Sequence, residues 1–306
     1  MTRRYLLLAA ISCVLLVVGG VVLAQQYQRR GSPFDPFDGS DFRRGGMRRG
    51  GRGRGSPLAG LPSDRAGVPD WKVDERYPND VFTFVRVQYT SEYSGYGRGW
   101  GGGWTTDWPD SDLNFSYRLQ QLTSLKVNPK PISLKLTDPQ LFDYPFIYMI
   151  EVGSLFFSDE EAAALRRYLL NGGFLMVDDF WGEAAYQSFA LQMRRVFPDR
   201  EPRELPVDHE IFRCVYKLKE KPQVPAIGIW YPGSNVTWEN HGPGSREVHY
   251  KGISDDQGRL MAIICHNTDL GDGWEREGED ADYFKEFSEK KSYPMGINIV
   301  TYAMTH

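Results

Sequence analysis

Acidic residues stand where two apolar runs end, and they are the groups in this chain best placed to do chemistry. Phe174-Leu175-Met176-Val177 runs directly into Asp178-Asp179, and the run 259–265 leads through His266 into Asn267-Thr268-Asp269-Leu270-Gly271-Asp272-Gly273-Trp274. Carboxylates delivered together by two strand ends can hold a hard cation such as calcium or magnesium, which takes oxygen ligands. They can also act as general acid and base. Asp178, Asp179 and Asp269 are therefore the candidate metal ligands, with Asn267, Asp272 and Trp274 beside them as candidate binding residues. The same residues have structural readings. Asp178 or Asp179 can cap a helix starting near Glu183, Asp and Asn make turns by bonding their own backbone, and Trp274 can simply close the core. The spacing is not that of a calcium-binding EF-hand loop, whose glycine and closing glutamate fall elsewhere. No cofactor is predicted; calcium or magnesium is compatible with the oxygen-rich set.

His209, in Asp208-His209-Glu210, is a third candidate for acid–base work, against the reading of an ordinary surface histidine. His241 and His249 lack zinc-ligand spacing with any cysteine. A different kind of site is offered by Tyr93, Tyr96, Trp100, Trp104 and Trp108, set among glycines in residues 93–108. Such aromatics can stack on sugar rings or anchor a protein partner, or the loop can fold back over its own core.

The elements that must position these groups are legible from periodicity. Residues 81–89 read as a strand, and Ser111 as the cap of a helix carrying Phe115, Leu119 and Leu122 at helical spacing. Residues 132–136 and 146–150 read as strands. Ser158 with Glu161 forms a capping box for a helix bearing Ala162, Leu165 and Leu169, which Asn171-Gly172 ends. A buried strand at 174–177 and a helix at 183–197 follow. Alternating strands and helices imply a parallel sheet with helices on both faces. Residues 226–230 read as a further strand, 247–253 and 259–265 as a hairpin, and 296–304 as a closing helix with Ile297, Val300 and Met304 on one face.

Arg3 and Arg4 precede an apolar run at 5–24, the layout of a secretory signal ending at Val22-Leu23-Ala24 or of an uncleaved membrane anchor. Residues 25–79 read as a disordered linker rich in Arg and Gly, and 80–306 as the α/β domain. The first 56 residues hold ten Arg against three Asp, +7, so the whole-chain charge of −4 leaves −11 for residues 57–306. Export removes the usual nucleic-acid partners of Arg-Gly segments; the basic linker suits anionic lipid head groups. After cleavage only Cys214 and Cys265 remain, as free thiols or one bridge.

Phe142-Asp143-Tyr144-Pro145-Phe146, Phe157-Ser158-Asp159-Glu160-Glu161, Gly172-Gly173-Phe174, Val196-Phe197-Pro198-Asp199, residues 267–274 and Gly296-Ile297-Asn298-Ile299-Val300 together resemble the bacterial domain of unknown function 4159. The resemblance spans residues 81–306. It implies the flavodoxin-like fold of class I glutamine amidotransferases and an envelope setting, and it brings no established reaction. Those enzymes carry a cysteine on the turn after a central strand; here that turn reads Asp178-Asp179-Phe180-Trp181-Gly182, so a glutaminase is excluded. Cys265 and His266 are neighbours on a strand and point to opposite faces. The expectation is an exported, envelope-associated binding or scaffold domain whose partner is an envelope protein or glycan. The alternative is a metal-assisted hydrolase acting on an envelope carbohydrate or ester through Asp178, Asp179, Asp269 and His209.

Overall fold

The computed structural model describes residues 68–73, 76, 80–91 and 103–306. The predicted signal or anchor, most of the linker, and Tyr93, Tyr96 and Trp100 lie outside the described residues. In chain order the elements are β1 (Val85–Gln88), β2 (Thr90–Ser91), α1 (Asp110–Leu122), β3 (Ile132–Lys135), β4 (Phe146–Ile150), β5 (Leu155–Phe156), α2 (Asp159–Leu170), β6 (Phe174–Asp178), α3 (Gly182–Val196), β7 (Arg203–Glu204), β8 (His249–Ser254), β9 (Leu260–His266), α4 (Leu270–Glu275) and α5 (Tyr293–Thr305). A π-helical stretch, Phe284–Ser292, leads into α5.

Seven strands form one sheet in the order β3-β1-β4-β6-β9-β8-β7. The first five are parallel, and β8 and β7 are added antiparallel. Numbered by chain order, the parallel strands read 2-1-3-4-5, the flavodoxin-like order, in which the direction of winding reverses between β1 and β4. The predicted hairpin exists, but it is not an appendage: its second strand, β9, is the fifth parallel strand.

Strand alternation explains why both faces need helices. Val85, Val87, Ile147, Met149, Leu175, Val177 and Ile264 turn to one face, where Leu165 and Leu169 of α2 and Phe189 and Met193 of α3 cover them. Phe84, Phe146 and Phe174 turn to the other, joining Phe115 of α1, Trp274 of α4 and Tyr302 of α5 in an aromatic layer. Each such side chain contributes about 1.5–3 kcal/mol by leaving water.

The local signals act as read. Ser158 Oγ accepts from the Glu161 amide at 3.1 Å while the Glu161 carboxylate accepts from the Ser158 amide at 2.8 Å. Helix α2 ends at Asn171, and Gly172 has a φ of 101°, the left-handed conformation in which a Cβ is costly. Four expectations change. Ser111 lies inside α1, which begins after Pro109, and its hydroxyl serves buried Arg86 and Asp112 instead of the helix end. Residues 226–230 form a turn, since Ile229 bonds back to Ala226. Met304, in the last turn of α5, is exposed and does not share the buried face of Ile297 and Val300. Val68 is buried and Trp71 donates to the Val127 carbonyl at 2.7 Å, so packing against the domain begins ahead of residue 80. Cys214 and Cys265 are free thiols.

Candidate functional site

Open α/β sheets bind ligands outside the carboxyl ends of their strands, at the reversal of winding. Here the register sets β4, β6 and β9 level, pairing Ile150 with Asp178 and Val177 with Ile264. Beyond that line the backbone continues to interlock: Glu151 N donates to Asp178 O at 3.2 Å, and Asp179 N to Thr268 O at 3.1 Å. The acids after each strand are thereby brought to one edge.

Asp107 joins them from the segment between β2 and α1. What fastens that segment is Arg86 of β1, whose side chain is fully buried on the aromatic face. Its guanidinium donates to the carbonyls of Trp104 (3.1 Å) and Thr106 and to the Asp112 carboxylate, and lies 5.1 Å from the Tyr148 ring centre. Five donors in a fixed fork suit this crowded role better than a lysine would.

One carboxylate oxygen each from Asp107, Asp179 and Asp269 lie within 4.8 Å of one another. Asp179 is oriented by Trp181, whose indole N–H donates to Oδ1 at 3.0 Å. Asp269 Oδ1 accepts from the Asp272 amide at 2.7 Å, capping α4. A second group, Asp107, Asp272 and Glu275, meets the same limit and shares Asp107. In it Arg276 Nε lies 3.1 Å from Asp272 Oδ1 and 2.6 Å from Glu275 Oε2. The Oδ2 atom of Asp107 is buried and has no hydrogen-bond partner among the described residues.

Asp178 has a different task from its neighbour. Its Oδ2 accepts from the Tyr148 hydroxyl at 3.1 Å and from Gly271 N at 3.0 Å, while its buried Oδ1 has no hydrogen-bond partner among the described residues. It thus holds the start of α4. Gly271 is needed there, because a Cβ would meet Asp107 Oδ2 at 2.9 Å and the Tyr148 hydroxyl at 3.1 Å. Neither Asp178 nor Asp179 caps α3, contrary to one reading of the sequence. That role belongs to Asn267, whose Oδ1 accepts from Gly182 N at 2.8 Å and whose Nδ2 binds the carbonyls of Gly244 and Glu247.

Crowded burial shapes the charges. Asp107 is pushed up to about 8 by burial and then by Asp272; Glu151 rises to about 7 through burial and Glu239. Burial lifts Asp178 to about 7. Asp179 and Asp269 lie well above the usual carboxylate range, from burial first and then from surrounding acids. Among the described residues other than glycine, positive φ occurs at Asp107, Glu151, Asp179 and Asn267, all of them at this edge. Such backbone costs of order 1–3 kcal/mol per residue and collects at functional sites.

Residues 83–304 match the model of the family described as Domain of unknown function (DUF4159). The chain belongs to this family. No curated protein matches it.

Within the DUF4159 domain the other candidates are not members of either carboxylate group. His209 caps the turn Glu210–Phe212 through Nδ1, 3.2 Å from Ile211 N, and packs on Tyr302; burial lowers its basicity. Trp274 is fully buried against Phe115, with ring centres 4.5 Å apart. Trp104 is half-buried against the core, and the Trp108 ring faces Arg86 at 5.7 Å. His266, held at Nε2 by the Gly182 carbonyl, is lowered to about 4 by burial. Sequence reasoning missed Asp107, Glu151, Glu239 and Glu275. Glu151 was within reach of the rule that found Asp178, since it directly follows an apolar strand; Asp107 was not, because no periodicity marks its loop.

Proposed function

We propose that this protein is an exported, envelope-associated binding domain that holds a divalent cation such as calcium and presents it to an oxygen-rich ligand such as an envelope glycan or protein. The observation that carries the reading is the meeting of Asp107, Asp179 and Asp269, from three separate segments, within 4.8 Å. Carboxylate oxygens this close can share one hard cation, since two oxygens on a calcium ion at about 2.4 Å are at most about 4.8 Å apart. Buried acids whose ionisation is opposed by burial and by one another gain most from a cation that neutralises them. The buried, unpartnered oxygens of Asp107 and Asp178 also fit an edge completed by a ligand. Export is supported by Arg3, Arg4 and the apolar run that follows. No helix of the described residues is long and apolar enough to cross a membrane, so any membrane attachment is assigned to the amino-terminal run or the basic linker.

The test is thermal unfolding of the whole chain, wild type and Asp179→Asn, with calcium, magnesium or chelator. At one hundred times its dissociation constant calcium adds about 2.7 kcal/mol, roughly 5–10 °C for a domain of this size, in the wild type alone. No shift in the wild type would sink the reading.

Glu151 favours a second reading, the metal-assisted hydrolase of an envelope carbohydrate or ester. A carboxyl raised to about 7 can take and return a proton near neutral pH. Calcium-dependent release of sugar or acyl groups from envelope glycan fractions, lost in Glu151→Gln, would support it; no release by the wild type would eliminate it.

A further inference from the structure

Asp107 belongs to two carboxylate triads at once, an arrangement that in two-metal sites lets one carboxylate bridge a pair of cations about 3.5–4 Å apart. The two triads differ in what already neutralises them. Asp272 and Glu275 are contacted by Arg276 Nε at 3.1 and 2.6 Å, and Asp272 Oδ2 also accepts from Ile227 N at 2.6 Å. Asp179 and Asp269 are oriented instead by neutral donors, the Trp181 indole and the Asp272 amide. Asp107 Oδ2 is buried and has no hydrogen-bond partner among the described residues; Glu275 Oε2 has none either, but it is ion-paired with Arg276.

We infer that the Arg276 guanidinium occupies the second cation position of a bridged pair, so that the site takes one calcium ion, at Asp107, Asp179 and Asp269. This rests on the calcium reading above and adds its stoichiometry and the residue that sets it. A guanidinium is a fixed single charge without an exchangeable coordination shell. It leaves Asp107 free to serve the open position and denies the closed one to a metal. Arg276 is held in place from its far side by Glu279, 3.2 Å from Nη1. Removing the guanidinium leaves Asp107, Asp272 and Glu275 without a cation, which opens a second site of the same oxygen chemistry.

Isothermal titration of the whole chain with calcium counts the sites. The wild type is expected to bind one ion, Arg276→Gln two, and Arg276→Lys one. Asp272→Asn/Glu275→Gln should still bind one ion, within a few-fold of wild-type affinity, which tests the assignment even if Arg276→Gln fails to fold. Two ions in the wild type, one ion in folded Arg276→Gln, or loss of binding in the Asp272/Glu275 variant would overturn the inference while leaving calcium binding intact. No binding by the wild type would instead refute the calcium reading on which it depends.

Discussion

The most exposing perturbation is Arg86→Met. Arg86 and Asp112 both have fully buried side chains, and the guanidinium is also the donor to the Trp104 and Thr106 carbonyls and to Ser111 Oγ at 2.9 Å. Removing one member of such a pair strands the other charge in the core, which costs about 3–5 kcal/mol. That is a large fraction of the 5–15 kcal/mol typical of a domain. Replacing both members by apolar residues of similar volume removes the stranded charge. Arg86→Met/Asp112→Leu should then lose only about 2 kcal/mol, chiefly from two carbonyls deprived of donors at about 1 kcal/mol each. Urea unfolding at fixed pH, monitored by tryptophan fluorescence and by circular dichroism, gives all four corners of the cycle. The double variant should be more stable than either single variant. Losses that add, or a single variant that loses less than about 1 kcal/mol, would refute the claim that this pair is a desolvated clamp on the Asp107 segment.

Three further outcomes follow from particular contacts. In chelator, Asp178 contributes a pH-dependent penalty: its folded value of about 7 lies above the ordinary 3.8, so the native state keeps a proton that the unfolded chain releases, and stability falls as pH rises between them. Roughly three pH units at about 1.36 kcal/mol each give about 4 kcal/mol. Asp178→Asn should lack this decline when denaturation midpoints are compared at pH 4.5 and 7.5, and parallel pH profiles would contradict it. Gly271→Ala drives a methyl against Asp107 Oδ2 and Tyr148; it should cost about 1–3 kcal/mol and reduce the calcium-induced rise in melting temperature, whereas an unchanged rise would show that Asp107 need not sit there. Ser158→Ala removes the side-chain half of the capping box, the acceptor of the Glu161 amide, and should cost about 1 kcal/mol in urea unfolding without altering calcium affinity.

Much of this architecture could be read from local chemistry. Apolar runs of strand length, the Ser158–Glu161 box and the Asn171-Gly172 stop act within a few residues, so the chain itself determines where α2 and β6 lie and that a parallel sheet must be covered on both faces. The same locality misled where a residue had a stronger distant partner. Ser111 looked like a cap but answers to Arg86, twenty-five residues away, and the cap of α3 comes from Asn267, eighty-five residues away.

The site shows the division most clearly. That acids end two strands is a property of the sequence alone. Which acids meet depends on strand order and register, because only the placement of β6 between β4 and β9 sets Glu151, Asp179 and Asp269 side by side. Asp107 joins them through a buried arginine on β1, and Asp178, identical in type and adjacent in sequence to Asp179, is turned instead to Tyr148 and the start of α4. Successive residues on an extended chain face opposite ways, and Asp179 bends further into the left-handed conformation. Residue type and order determine which groups are available; tertiary packing decides which of them share one volume and so alter one another's charge.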